Sequence, residues 1–489
     1  MQILTNYLSF HGKWYTISYR FIGNLRVNVL GGYLDSMEQD KTFLGTEPIG
    51  KLLMKLAVPT VIAQLVNMLY NIIDRVYIGH IPGEGSMALT GVGVCMPLIL
   101  IIAAFAALVG SGGSPRASIY MGKGEHDTAE KILTGCLSLQ IIVSIILTVI
   151  LLIWNENLLL MFGASENTIS YATAYMNIYA IGTIFVQITL GMNTFITAQG
   201  KAITGMMTVL IGAVANIILD PIFIFGMHMG VRGAALATVF SQCVSAFLVT
   251  WSLTKDYDSM KLQFRELRME ASVLKRELKI GIPGALQACA YGVTNVVIQA
   301  SINSFGTDTA AGWAAYGKLD LIFWTVSSAL GAAVTTFVGQ NYGAGKWDRV
   351  YKSIRVNIGI SYVFTGMIIF TLYAFCEPMY HMFTTDPKVI DIGVYMLRFL
   401  MPSYLLSILL ENLDGGLRGV GDVLWPTIFT FGGLFLIRLP WVMILTPIYH
   451  KVEILLISYP IAWGGTLLFV IPYYFWKKKK CFNKICSEK

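Results

Sequence analysis

The chain has 489 residues, of which 55% are hydrophobic and only 13% are charged. Soluble proteins carry about a quarter of their residues as charged side chains, so this composition excludes a soluble globular protein and indicates an integral membrane protein. The net charge of +7 does not indicate nucleic-acid binding, because Lys and Arg lie in short loops and at the C-terminus, where they set membrane orientation. The seven cysteines show no spacing typical of a metal site or a disulfide framework.

Residues 1 to about 45 differ from the rest of the chain. They are mixed in character, with no long hydrophobic run and no signal peptide. Met37 is followed by EQDKTFLGTEPIG, which is typical of a cytoplasmic segment that leads into a membrane helix. We expect translation to start at Met37, with residues 1–36 absent from the native protein or disordered. Mass spectrometry of the native N-terminus tests this expectation.

From Lys51 onward the chain is a succession of apolar stretches. Each is about 20 residues long or longer, the length that a helix needs to cross the hydrocarbon core of a bilayer. They predict an all-α membrane protein with twelve transmembrane helices, numbered here in order: 52–80, 87–113, 130–153, 168–198, 202–225, 231–254, 274–303, 309–340, 350–375, 389–417, 422–448 and 452–476.

Lysine and arginine are concentrated in alternate loops of this arrangement, with Lys388 and Lys451 as exceptions. Loops rich in positive charge face the cytoplasm. We therefore expect a multi-pass protein of the cell membrane, plasma or inner, with both termini in the cytoplasm.

The chain contains an internal repeat. YMGKGEHDTAEK, which starts at Tyr120, matches NYGAGKWDRVYK, which starts at Asn341, and the match includes glycines and charged residues outside the predicted helices. Internal repeats are typical of transporters, whose substrate sites lie between or within the repeats near mid-membrane. The repeat predicts two pseudo-symmetric six-helix bundles, with these divisions: an N-terminal extension at 1–45, a first bundle at 46–254, a cytoplasmic linker at 255–273, a second bundle at 274–476 and a basic tail at 477–489.

Predicted helix 5 carries Asn216, Asp220 and Pro221 inside an apolar run. A charged side chain at membrane depth costs at least about 2.5–3.5 kcal/mol, and such acids are functional by default. Asn216 and Asp220 are four residues apart and share one helical face. The alternative is an acid that a neighbouring helix satisfies, with no role of its own.

Predicted helix 1 carries a polar stripe. Gln64, Asn67, Asn71 and Asp74 follow one another at spacings of three and four residues, and Tyr70 lies one turn before Asp74. Contact between this polar face and lipid is energetically unfavourable, so we expect the face to line a cavity or to contact another polar helix.

Asp220 and Asn216 are the expected partners of Asp74. Two carboxylates in a poorly hydrated site resist ionising together and favour a shared proton or cation. Their oxygens are suitable ligands for a hard cation, so Na⁺ is one candidate at Asp74, Asn216 and Asp220, without a structural metal. Predicted helix 4 adds Gln187 and Asn193 to the polar set. Amides of this kind also serve as hydrogen-bonding contacts between helices.

The second bundle has a different set of polar residues. Predicted helix 7 carries amides but no acid in its apolar part, and near Pro440 an arginine replaces the acid that precedes Pro221. Ion coupling is therefore expected in the first bundle. We expect the charged residues of the second bundle to neutralise one another in a network that is as plausibly structural as functional: Lys318, Asp320, Glu411, Asp414 and Arg438.

Catalytic and nucleotide-binding motifs are missing from the sequence. There is no G-x-x-x-x-G-K-[ST] loop and no H-E-x-x-H or G-x-S-x-G motif. We expect neither an enzyme nor a bound cofactor.

Three segments resemble the MATE (multidrug and toxin extrusion) transporters. They are KLAVPTVIAQLVNMLYNIIDRVYIG on predicted helix 1, the stretch from Asn216 through Asp220-Pro221 to GMHMGVRGAALAT, and the paired G-x-G loops after predicted helices 2 and 8. The resemblance covers residues 45–476. It implies a V-shaped pair of six-helix bundles, alternating access, and antiport of organic cations and amphipathic drugs against H⁺ or Na⁺.

The resemblance also implies roles for individual residues. Ion or proton coupling is implied for Asp74, Asp220, Asn216, Tyr70 and Thr238, and a position in the cavity for Asn67 and Asn193. Some branches of the family use an acid on helix 7. Its absence here favours the prokaryotic, MepA-like branch.

The expected substrate cavity is rich in amides, Met and aromatic side chains, which adapt to varied ligands. Its expected lining is Gln64, Asn67, Asn71, Gln187, Asn193, Met68, Met192 and Phe195.

The expected partners are small organic cations or amphipathic drugs and the lipid bilayer, with no nucleic acid, and the expected state is a monomer. One alternative is a flippase for a lipid-linked sugar precursor, which would place more basic residues in the cavity. A membrane-embedded enzyme is the weaker alternative.

Overall fold

The computed structural model describes residues 47–255, 260–263 and 271–488. They belong to the compact unit Leu44–Lys489. The predicted start at Met37 and the extension before residue 46 lie outside the described residues, as does most of the predicted linker.

The described residues form helices joined by turns, with no β-strand among them. Twelve long helices, five of them (α2, α4, α5, α10 and α11) composed of more than one helical segment, account for most of the described residues: α1 Ile49–Gly79, α2 Gly85–Lys123, α3 His126–Met161, α4 Ile169–Ile181 with Thr183–Ala198, α5 Ala202–Gly226, α6 Val231–Lys255, α7 Ala271–Asn303, α8 Thr307–Gly343, α9 Trp347–Ala374, α10 Pro387–Gly419, α11 Leu424–Tyr449 and α12 Val452–Glu488. A short helix, Cys376–His381, precedes α10.

Ten of these helices are long and apolar enough to cross a membrane, and the bent pair that forms α4 is the eleventh span. The twelfth, α7, has 33 residues, and its amides Gln287, Asn295 and Gln299 make it less apolar. The predicted all-α fold with twelve membrane helices is confirmed. The helices form two pseudo-symmetric six-helix bundles, called here the first half (α1–α6) and the second half (α7–α12).

The fourth helix, predicted at 168–198, is bent. The chain bends by 57° between Ile169–Ile181 and Thr183–Ala198. Gly182 lies at the bend, where an added Cβ would come within 2.4 Å of Cγ2 of Val239 on α6. The close approach of α6 therefore requires glycine at this position.

The repeated loop has the same backbone geometry in both halves. Gly124 and Gly345 follow α2 and α8 with φ of 79° and 69°, the left-handed conformation that glycine adopts without strain. Asp127 and Asp348 then lie in the first turns of α3 and α9, where the helix dipole favours a negative charge.

The two halves contact each other at the end of the bundle where α2 and α8 terminate. A Cβ on Gly122 would lie 2.0 Å from the carbonyl oxygen of Gln340, and a Cβ on Gly343 would lie 1.9 Å from that of Ile119. Gln340 Nε2 also donates to the carbonyl oxygen of Ala198 at 2.6 Å. These glycines allow the two backbones to cross in direct contact.

Residues 260–263 of the predicted linker are attached to the first half. Glu130 on α3 accepts hydrogen bonds from Lys261 N at 2.9 Å and Gln263 Nε2 at 2.5 Å. Met260 and Leu262 are buried in the core formed by α2, α3, α4 and α6. This segment is therefore an integral part of the first half.

Glu130→Ala is expected to destabilise the protein by about 1–3 kcal/mol, because the linker loses two hydrogen bonds to a charged group. Thermal unfolding in detergent measures the effect. Glu156→Ala, an exposed acid on the same helix, is the control and should leave the midpoint unchanged. Equal midpoints for the two variants would contradict the attachment.

Candidate functional site

The packing of α1 against α5 brings two acids together in the first half. Asp74 is 7% exposed, and Asn216 and Asp220 are fully buried. Asn216 Nδ2 donates to Asp220 Oδ1 at 3.3 Å, as their four-residue spacing predicts. Asp74 and Asp220 interact electrostatically across the helix contact.

Several oxygens of this cluster have no hydrogen-bond partner. They are Asp74 Oδ1, Asn216 Oδ1 and Asp220 Oδ2, all of them buried. An unsatisfied buried acceptor costs about 1–3 kcal/mol, and a proton or a hard cation would satisfy such oxygens. Among the described residues no group of three or more His, Cys, Asp or Glu could hold a metal, so a cation here would need the amide and hydroxyl oxygens as well.

Tyrosines border this acid cluster. The Tyr70 hydroxyl accepts a hydrogen bond from Gln242 Nε2 at 3.4 Å and interacts with both acids. Thr238 is buried on α6 and lies near the Tyr175 hydroxyl. Tyr175 stacks on Tyr179 with ring centroids 6.0 Å apart. The sequence analysis missed these two α4 tyrosines, although their four-residue spacing places them on one helical face.

A cavity of about 410 Å³ lies between the two halves. The first half contributes residues of α1, α2, α4, α5 and α6, and the second half contributes residues of α8 and α10. Gln64, Asn67 and Asn193, which were expected in a substrate cavity, line it, and Tyr70 lines it too. Because Tyr70 also interacts with Asp74 and Asp220, this side chain connects the cavity with the acid cluster.

The predicted Met-rich and aromatic lining is not found. Met192 and Phe195 are buried in the core between α2, α3, α4 and α6, because the apolar face of α4 packs inward and its polar face meets the cavity. Gln187 is fully buried and donates to the carbonyl oxygen of Ile102 at 2.9 Å. The lining is instead rich in Ser and Thr, with one Met, Met206, and one aromatic residue, Tyr70.

Two residues of α1 that were expected in the cavity lining, Asn71 and Met68, lie outside it. Asn71 is exposed and donates to the carbonyl oxygen of Asn67 at 2.7 Å. Met68 is half-buried and does not contact the cavity. The polar stripe of α1 therefore has two environments: Gln64, Asn67 and Tyr70 line the cavity, whereas Asp74 is buried near Asp220 of α5.

The charged residues of the second half form two groups instead of one network. Asp320 accepts a hydrogen bond from the Tyr404 hydroxyl, which also contacts the Tyr316 hydroxyl. The Arg438 guanidinium lies 3.3 Å from the ring centroid of Tyr459 and interacts with Asp320 electrostatically.

Glu411 and Asp414 belong to the other group, which lines the cavity together with Arg418. Lys318 is exposed. Of the ion pairs between described residues, none joins Lys318 or Arg438 to an acid of the second half. The expected neutralisation by direct contact is therefore not found.

The MatE family model matches residues 59–222 and 283–444. The chain belongs to the MatE family. The two matches begin at Pro59 and Pro283 and correspond to the two halves of the internal repeat.

Relatives and solved structures agree with this membership. The chain is 26% identical over 436 residues to the probable multidrug resistance protein YoeA of Bacillus subtilis (strain 168), an alignment that covers 86% of this chain and 93% of the relative. It is 25% identical over 414 residues to the multidrug export protein MepA of Staphylococcus haemolyticus (strain JCSC1435), covering 82% and 91%. A solved structure, described as an outward-facing conformation of a multidrug resistance MATE family transporter of the MOP superfamily, superimposes with a TM-score of 0.82 at 20% identity, covering 90% of this chain and 98% of that one.

The chain is thus a multi-pass membrane protein of the MATE transporter family, in the MepA-like branch. This confirms the resemblance seen in the sequence. Transporters of this fold carry their polar sites inside the membrane region, which is where the acid cluster and the cavity lie.

Proposed function

We propose that this transporter is a secondary active antiporter that exports organic cations and other amphipathic drugs in exchange for H⁺ or Na⁺. The names of the relatives YoeA and MepA support the substrate class. One observation supports the proposed ion coupling. Two buried acids and an amide have three oxygens without hydrogen-bond partners beside the cavity. We propose that the protein acts as a monomer in the cell membrane, with both termini cytoplasmic and without a cofactor.

In this proposal the coupling ion and the substrate favour different states. Asp74 and Asp220 take up a proton or Na⁺, which removes negative charge next to the cavity and weakens the attraction for a cationic substrate. Tyr70 lies between the two sites and transmits the change. Coupling then follows because ion and substrate bind preferentially to different conformations.

The contact between the halves suggests which conformation the structure represents. If both termini are cytoplasmic, the contact of Gly122 and Gly343 closes the cytoplasmic side. We propose that the two halves rock about this region, so that the contact opens when the cavity faces inward.

The lipid-linked precursor flippase remains the rival function. A pyrophosphate head group would need several basic side chains in the cavity. The acidic and basic residues of the lining are Glu411 and Asp414 and a single base, Arg418, so the cavity offers fewer basic groups than a pyrophosphate needs. This supports export of cations over flipping of an anionic lipid.

Drug susceptibility of a host that lacks its own exporters tests the proposal. Expression of the transporter should make the host less susceptible to ethidium and to quaternary ammonium compounds. Unchanged susceptibility, with the protein present in the membrane, would favour the flippase.

A further inference from the structure

A groove lies between α9 and α12 at the end of the second half where α9 begins. Among the described residues, α10 packs against both helices, which barely meet each other. A Cβ on Gly416 of α10 would lie 2.7 Å from Cδ1 of Ile354 on α9. Asp422, just beyond α10, forms an ion pair with Lys477 of α12 at 2.7 Å. The end of α10 is therefore the floor of this α9–α12 groove, and the other two helices are its walls.

Two tyrosines and two cationic side chains face each other across the groove. Tyr351 and Arg355 are four residues apart on α9, and Tyr474 and Lys478 are four apart on α12, so each pair shares one helical face. Lys478 Nζ lies 5.1 Å from the ring centroid of Tyr351, and Arg355 interacts electrostatically with Tyr474. Since a helix rises 1.5 Å per residue, these two contacts lie about 6 Å apart in depth. Each level of the groove therefore has one positive charge and one hydroxyl.

These two positive charges are available to a ligand. The neighbouring Lys477 is neutralised by Asp422, which also accepts a hydrogen bond from the Tyr473 hydroxyl at 2.5 Å. Of the ion pairs between described residues, none includes Arg355 or Lys478. Arg355 is exposed and Lys478 is half-buried. An anion in the groove could therefore contact both side chains.

The matching place in the first half is filled by the chain itself. Glu130 on α3 is the repeat mate of Tyr351, and it binds Lys261 N of the linker. Leu262 N then donates to the carbonyl oxygen of Leu253 on α6 at 2.9 Å, so the linker lies between α3 and α6. In the second half α12 continues as a helix to Glu488 instead of folding back. The two halves thus differ in what covers the same position.

We propose that the α9–α12 groove binds the head group of an anionic phospholipid, with the phosphate between Arg355 and Lys478 and with the two tyrosine hydroxyls as further donors. Basic pockets between membrane helices on the cytoplasmic side suit such head groups. Phe475 and Trp476, beside the site, are 59% and 53% exposed, and aromatic belts of this kind lie at the membrane–water interface. The groove therefore lies at head-group depth, which favours a lipid over a soluble phosphate compound. This site is separate from the cavity and does not depend on the proposed export function.

Native mass spectrometry of the full chain in detergent tests the proposal. The delipidated protein is titrated with phosphatidylglycerol, which is anionic, or with phosphatidylcholine, which is zwitterionic. The wild type should bind one phosphatidylglycerol in clear preference to phosphatidylcholine. Because each Lys or Arg near an anionic lipid surface contributes about one unit of RT ln 5, the double variant Arg355→Gln with Lys478→Gln should weaken this binding roughly thirtyfold and remove the preference.

Two further double variants serve as controls. Arg355→Lys with Lys478→Arg keeps both charges and should retain most of the affinity. Lys388→Gln with Lys451→Gln removes two exposed lysines in the connections at the other end of the helices, with the same change in net charge, and should bind as the wild type does. All variants should elute from size exclusion as the wild type does, since the substituted side chains are not in the core.

Four results would overturn the lipid site. They are equal binding of the two lipids by the wild type, unchanged phosphatidylglycerol binding in the Arg355 and Lys478 double variant, an equal loss in the Lys388 and Lys451 control, and displacement of the lipid by equimolar glycerol 3-phosphate. The last result would assign the groove to a soluble phosphate compound.

Discussion

Asp220→Asn is expected to abolish ion-driven transport and to leave the fold intact. Asn has nearly the same shape as Asp and keeps an oxygen at Oδ1, which accepts the hydrogen bond from Asn216. The substitution removes only the charge and the ability to bind a proton or cation. In proteoliposomes with an imposed H⁺ or Na⁺ gradient, ethidium movement should fall to the rate of vesicles without protein.

The control for this variant is Asp391→Asn, which changes an exposed acid on α10 and should transport at the wild-type rate. Both variants should elute from size exclusion as the wild type does. Persistent efflux in Asp220→Asn would make this acid structural and transfer the coupling role to Asp74 or the second half.

Gly343→Val is expected to have the second large effect, through the contact between the halves. Even the Cβ alone would lie 1.9 Å from the carbonyl oxygen of Ile119, a backbone atom that cannot move aside without separating α2 from α8. Overpacking of this kind destabilises by about 3 kcal/mol. Unfolding in mixed micelles of increasing SDS content measures the change in free energy.

Gly359→Val on α9 is the matched control, because nothing lies within 4 Å of the added Cβ. It should unfold as the wild type does. If Gly343→Val were as stable as this control, the direct crossing of α2 and α8 would not exist in the protein.

The helices were predictable because membrane spans have a strong compositional signal. The lengths of the apolar stretches predicted all twelve helices, and the match between the two glycine-containing loops indicated the internal repeat. The bend at Gly182 was not predictable from hydropathy. The side chain that packs against Gly182 is Val239, which lies more than fifty positions away in the chain and meets it only in the fold.

The acid cluster was predictable because acids are rare in apolar runs, so Asp74 and Asp220 stand out. The cavity lining was only partly predictable. Asn193 and Met192 are adjacent in the chain, yet one meets the cavity and the other the core. Which face of α4 turns inward depends on the packing of α2, α3 and α6, which hydropathy does not specify. The cavity position of Glu411 and Asp414 was missed because the face that α10 turns to the cavity also depends on helix packing.

Reversal of the ion gradient across one set of wild-type proteoliposomes tests the central claim most directly. The account predicts that ethidium accumulates against its own gradient when either H⁺ or Na⁺ is imposed in one direction. When that ion gradient is reversed, ethidium should move the opposite way. Ethidium that moves at the same rate under both directions of both gradients would contradict ion-coupled antiport.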